Sequence, residues 1–176
     1  MVRKVFADKG GWFGQPALLK AAAWLWAVFA VPFLWTTVAF GAAFPERIVS
    51  LAPNLTEILY DMGVGDRIAG VTYYCDYPPD ARRKPKVGGF ANPSLEAVVS
   101  LQPDLVIMTE DGNPQALERR LTALGIRTYI FRARQIPDLP REMRNLGGIL
   151  GVLPAADRRA GRIETRIRQL TKKNDP

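Results

Sequence analysis

The apolar positions along the chain follow two different rules. From Ala21 to Trp35 they are continuous, AAAWLWAVFAVPFLW, with no charge in the run. From Arg47 onward they come as short β-rich runs separated by stretches with helical spacing. Arg47–Leu51 (RIVSL), Arg67–Thr72 (RIAGVT), Leu105–Thr109 (LVIMT) and Ile126–Phe131 read as strands, and Lys86-Val87 as a short extended piece. Between them, LTEILYDMG places Leu55, Ile58, Leu59 and Met62 on one helical stripe, and Gly63 and Gly65 end it. LEAVVSLQ after Pro93-Ser94, QALERRLTALG after Asn113-Pro114, and Asp138–Gly151 are three more helices. Pro154 opens the last, AADRRAGRIETRIRQLTKK, with a thin apolar stripe at Ile163, Ile167 and Leu170. Residues 73–93, rich in Pro, Gly and aromatics, read as irregular. Strand and helix alternate throughout, which predicts an α/β fold: a parallel sheet with helices on both faces, followed by a long helix.

The continuous run has a different meaning. Arg3, Lys4, Lys9 and Lys20 precede it, and Gly41-Ala42-Ala43 follows it with small residues. A basic start, an apolar centre and a small-residue cut are the marks of a secretory signal peptide. Cleavage is expected before Phe44, so residues 1–43 are the signal, 44–151 one α/β lobe and 152–176 a connecting helix. The rival is an uncleaved membrane anchor, since about 20 apolar residues can span a bilayer. Pro32 interrupts the run, and no charged stop-transfer cluster follows it.

Composition narrows the chemistry. The chain has 176 residues, one cysteine and no histidine. Without histidine, Ser-His-Asp and Cys-His pairs cannot be built. One cysteine allows no intrachain disulfide and is too few for the usual structural zinc sets. Neither a G-x-G-x-x-G after a strand nor a phosphate-binding loop is present. Residues 44–111 carry 6 basic and 10 acidic groups, net −4, whereas 112–176 carry 14 and 6, net +8. The basic half reads mostly as exposed helix face, and export separates the chain from nucleic acid, so no nucleic-acid role is expected.

In parallel sheets, ligands meet the loops at the carboxyl ends of the strands. Those loops here are Ala52–Asn54, Tyr73–Pro79, Gly88–Pro93 and Glu110–Pro114. They hold Tyr73, Tyr74, Tyr77 and Phe90, planar side chains suited to a bulky amphipathic ligand. Tyr77, before Pro78-Pro79, reads as packing. Cys75 lies between the tyrosines and is either a ligand contact or a plain thiol. Asp76, Glu110 and Asp111 share these loops, so an exported hydrolase using a carboxylate pair stays open. Glu96 begins a helix, where an acid is favourable by the macrodipole alone.

RIVSLAPNLTE, the DYPP loop, VGGF, NPSLE and PDLVI occur in that order. Together they resemble the N-terminal lobe of periplasmic binding proteins for cobalamin and iron–siderophore ABC importers, from about Arg47 to Gly151. The resemblance implies an exported, monomeric solute carrier with no cofactor of its own.

 It implies a ligand, cobalamin or a related corrinoid or a ferric siderophore, held between two lobes joined by one long helix, and delivery to an ABC importer's membrane permease. Ligand contacts are then expected from Tyr73, Tyr74, Cys75, Phe90, Asn92, Thr109 and Glu110. Tyr74 matches a cleft-lining position, and Phe90 one where an aromatic packs on the ligand. Thr109 stands where cobalamin binders can place another aromatic. Glu96 matches the glutamate that pairs with permease arginines. The family's second lobe, of about 100 residues or more, is not represented, so a single-lobe interaction module is the alternative expectation.

Overall fold

The computed structural model describes residues 44–174. The signal-peptide reading of residues 1–43 lies outside the described residues. Four strands, β1 (Ile48–Ser50), β2 (Ile68–Val71), β3 (Leu105–Thr109) and β4 (Thr128–Phe131), form one sheet in the order β2-β1-β3-β4. Every neighbouring pair is parallel. Among the described residues, six α-helices lie in chain order: α1 (Pro53–Asp61), α2 (Pro79–Arg82), α3 (Leu95–Ser100), α4 (Gln115–Ala123), α5 (Leu139–Ile149) and α6 (Leu153–Asn174).

The strands carry apolar side chains on successive positions because both faces are covered. Ile48, Leu105, Ile107 and Phe131 point to one face, where Leu55 and Leu59 of α1, Met143 and Leu146 of α5 and Ala156 of α6 meet them. Val49, Val106 and Met108 point to the other, against Val98 of α3 and Leu117 and Leu121 of α4. The parallel α/β architecture expected from the alternating pattern is therefore the one observed.

The element ends differ in instructive ways. β4 begins at Thr128 rather than Ile126, because the Ile126 N–H donates to the Leu121 carbonyl at 3.0 Å and closes α4 instead. The stretch expected to be irregular contains α2, which starts at Pro79 where the fixed φ of proline suits a first helical turn. The helix expected over Asp138–Gly151 is preceded by a separate 3-10 turn, Ile136–Asp138, where the Asp138 carboxylate accepts from the Gln135 N–H at 3.0 Å. Lys86 pairs with Val71 in parallel, as an extended piece should.

Helix α6 is the long helix foreseen after Pro154, with 22 residues. Its first half is fastened to the lobe. Ala156 and Ala160 are fully buried, and Arg159 reaches Asp61 of α1 at 3.2 Å. Arg144 of α5 donates to Asp157 at 2.7 Å and to Glu164 at 2.6 and 3.2 Å. The Arg144 guanidinium holds the Glu164 carboxyl below its usual range. Beyond Ile167 the helix is exposed through Lys172, and Leu170 is 47% exposed.

Candidate ligand-binding site

The strand order decides where a site can form. The chain leaves β1 toward β2, then crosses back over β1 to reach β3 on its other side. The loops after β1 and β3 thus diverge and leave a crevice at the carboxyl edge of the sheet. A depression of about 520 Å³ lies there, open to solvent and lined by Pro53, Asn54, Tyr74, Phe90, Thr109 and Asp111. All four loops named from the sequence meet in it or, for Thr109, at the strand end beside it.

Each wall has a local cause. Leu51 and Ala52 are fully buried, which fixes the start of α1 and presents Pro53 and Asn54 at the rim. Tyr74 is 66% exposed, because its neighbours Thr72 and Cys75 turn inward and anchor the loop. Phe90 follows the turn at Gly88, which has φ +111°; a Cβ at Gly88 would fall 2.9 Å from the Ser94 nitrogen. Only glycine accepts that backbone without strain. The Gly88 carbonyl accepts from the Tyr73 N–H at 2.9 Å, so the two aromatic loops are joined.

The structure separates the remaining candidates. Cys75, expected as a ligand contact, is instead 1% exposed, and its Sγ lies 3.1 Å from Thr72 Oγ1 and 3.2 Å from Thr56 Oγ1. It is an internal thiol that offers no surface to a ligand. Tyr73 is 64% exposed and Asn92 is exposed, but neither lines the depression. Tyr77, expected to pack, is 64% exposed instead. Pro53 and Asn54 line the depression although the sequence marked only their loop, and Asp111, named from the sequence as a mouth acid, lines it as well.

Glu110 faces a second, neighbouring hollow of about 430 Å³ that includes Phe131, Arg132 and Arg134. There its carboxylate accepts from Arg134 at 2.8 and 2.9 Å, and Arg132 lies 3.6 Å away. The Arg134 guanidinium, aided by Arg132, holds the Glu110 carboxyl below its usual range. Glu110 is thus already committed to an ion pair with Arg134 rather than left free for acid–base work.

Glu96 sits away from both hollows, at the start of α3. Ser94 caps that helix by accepting from the Ala97 N–H at 3.1 Å, and its hydroxyl donates to Glu96 at 3.1 Å. The Glu96 side chain is 81% exposed, with Arg120 at 3.9 Å. Its own backbone N–H, then the Ser94 hydroxyl and Arg120, keep the carboxyl below its ordinary range.

A single-lobe α/β fold with an aromatic depression at its switch point is matched by a family model described as periplasmic binding protein, over residues 48–175. The chain belongs to the periplasmic binding-protein family. That family is a class of solute-binding proteins without catalytic activity, and its members work in the periplasm, in agreement with the export expectation. The chain is 32% identical over 128 residues to a vitamin B12-binding protein of Pectobacterium atrosepticum, covering 73% of this chain and 46% of that protein. Among solved structures it is similar to the periplasmic vitamin B12-binding protein of Vibrio cholerae, with TM-score 0.69 and 30% identity over 73% of this chain and 51% of the other. A periplasmic heme-binding protein from Pseudomonas aeruginosa matches with TM-score 0.68 and 27% identity, over 73% of this chain and 46% of the other. The chain therefore spans about half the length of the relatives it matches.

Proposed function

We propose that this chain is the solute-binding component of an ABC importer and that its ligand is a large metal chelate, with a corrinoid such as cobalamin the leading candidate and a ferric siderophore or heme-type chelate next. The observation that carries this reading is the open depression walled by Tyr74 and Phe90 at the switch point. Flat aromatic walls suit a flat, mostly apolar body, and burial supplies most of the affinity. Similarity to proteins named for vitamin B12 and for heme supports the ligand class. Export by residues 1–43, cleavage before Phe44 and action as a monomer belong to the same reading.

Calorimetric titration of the protein recovered from the periplasm, with cyanocobalamin, hemin and a ferric siderophore in separate runs, tests it. Saturable binding of one of them is expected; heat from none removes the ligand assignment. The open shape of the depression favours a second reading, in which a one-sided site buries too little ligand for tight binding and the lobe serves as an interaction module. Millimolar affinity in the same titration selects it.

Glu96 is the permease-docking residue in this proposal. Its exposure and its stable negative charge support a rim contact with a basic partner, which governs encounter and register more than affinity. Glu96→Lys is expected to abolish uptake in a transport assay while leaving ligand affinity unchanged. Undiminished uptake would remove the docking role.

A further inference from the structure

Phe90 forms one wall of the depression, on a loop outside the sheet that is closed on itself by an isolated Gly88–Pro93 bridge and tied to the Tyr73 loop through the Gly88 carbonyl. What fixes it lies beneath. Asn113 is 7% exposed, and its carboxamide joins three separate segments. Nδ2 donates to the Phe90 carbonyl at 2.8 Å and to the Leu51 carbonyl at 3.1 Å. Oδ1 accepts from the Thr109 N–H at 2.9 Å. The amide orientation follows from its partners, since two carbonyls face the nitrogen and an N–H faces the oxygen. The neighbouring residue completes the seat. The Phe90 ring lies across Gly112, where a Cβ would fall 1.7 Å from its Cζ.

We propose that Asn113, with Gly112, is the positioning unit of the ligand site: it ties the Phe90 loop to the carboxyl ends of β1 and β3 and sets the ring at the height a ligand meets. Asn113 does not touch ligand; it acts through Phe90. The proposal rests on the ligand-binding reading above, and its first readout is independent of any ligand. The chemistry demands a neutral group with both a donor pair and an acceptor, which aspartate, leucine and alanine each lack. Asn113→Asp keeps the acceptor for Thr109 but turns a carboxylate toward two carbonyls.

Amide hydrogen exchange of the protein recovered from the periplasm, paired with calorimetric titration by cyanocobalamin, decides it. Asn113→Ala is expected to speed exchange over residues 88–93 by about tenfold or more, while β1 and β3 keep their protection. Affinity is expected to fall about tenfold. Asn113→Asp is expected to match or exceed both changes. Unchanged exchange over residues 88–93 overturns the proposal, and so does faster exchange spread evenly over the sheet, which marks a merely structural residue. Unchanged affinity with a loosened loop overturns it as well. Should the Asn113 variants fail to fold, Gly112→Ala moves the ring with the carboxamide intact; lost affinity upholds the proposal and full affinity overturns it. If the unsubstituted protein binds no cyanocobalamin, the ligand reading has failed, and the exchange pattern alone decides the positioning role.

Discussion

Two hollows share the carboxyl edge of the sheet and are built on opposite principles. The one at the switch point has aromatic walls, Tyr74 and Phe90, whose outer surfaces meet only solvent. Its neighbour is lined by Glu110, Arg132 and Arg134, which already satisfy one another. A ligand entering the first displaces water from apolar surface, which is favourable. A ligand entering the second must replace charge-assisted hydrogen bonds in place, and the gain is small. Size does not separate the hollows; the state of their walls before a ligand arrives does.

Removing an aromatic wall is the strongest way to break this contrast. Phe90→Ala is expected to weaken corrinoid binding by about tenfold to a hundredfold, since burying such a side chain contributes about 1.5–3 kcal/mol. Tyr74→Ala should follow with a smaller loss. Calorimetric titration reads both, and affinities within twofold of the parent would show that the depression is not the site.

Acidity sharpens the contrast at intermediate size. The folded Glu110 carboxyl titrates below its unfolded value because of Arg134. Its contribution to stability is therefore complete above the usual carboxylate range, and is lost as pH falls through the lowered folded value. Thermal melts should show Glu110→Gln losing its deficit against the parent only at that acidic end. Ligand affinity should stay flat between about pH 6 and 8, because the chain has no histidine to titrate there. A steep change in that window would place a charged group in the binding step.

The smallest effect is expected from Arg134→Ala. It opens the second hollow, but exposed ion pairs contribute little. Affinity should stay within about twofold of the parent in the same titration. A loss as large as that of Phe90→Ala would show that the ligand reaches across both hollows.

Much of this was legible along the chain. Alternating β-rich and helical runs named the fold, and the rule that parallel sheets bind at their carboxyl edge named all four loops before any contact was known. Phe90 and Tyr74 stood out, with Tyr73, because planar side chains in such loops suit a bulky amphipathic ligand. The fate of Cys75 was not legible: a thiol between two tyrosines looks the same in sequence whether it turns inward or out. Its inward turn depends on Thr56 and Thr72, which lie on a helix and at a strand end.

Asn113 shows the same limit more sharply. In sequence, Asn113-Pro114 is a helix start at the end of a mouth loop, with no sign of its bonds. Its bond to Leu51 spans 62 residues, and its bond to Phe90 spans 23. Glu110 likewise read as a free mouth acid until Arg134, 24 residues away, was found on it. The sequence by itself determined the strands and the longer helices, the two-sided core, the absence of histidine chemistry and the loops that gather at one edge. Those follow from local periodicity and residue identity. Only the tertiary structure decided which side chains line the depression, which are already paired and which residue holds the aromatic wall, because each depends on the register of strands that meet only after the chain has folded.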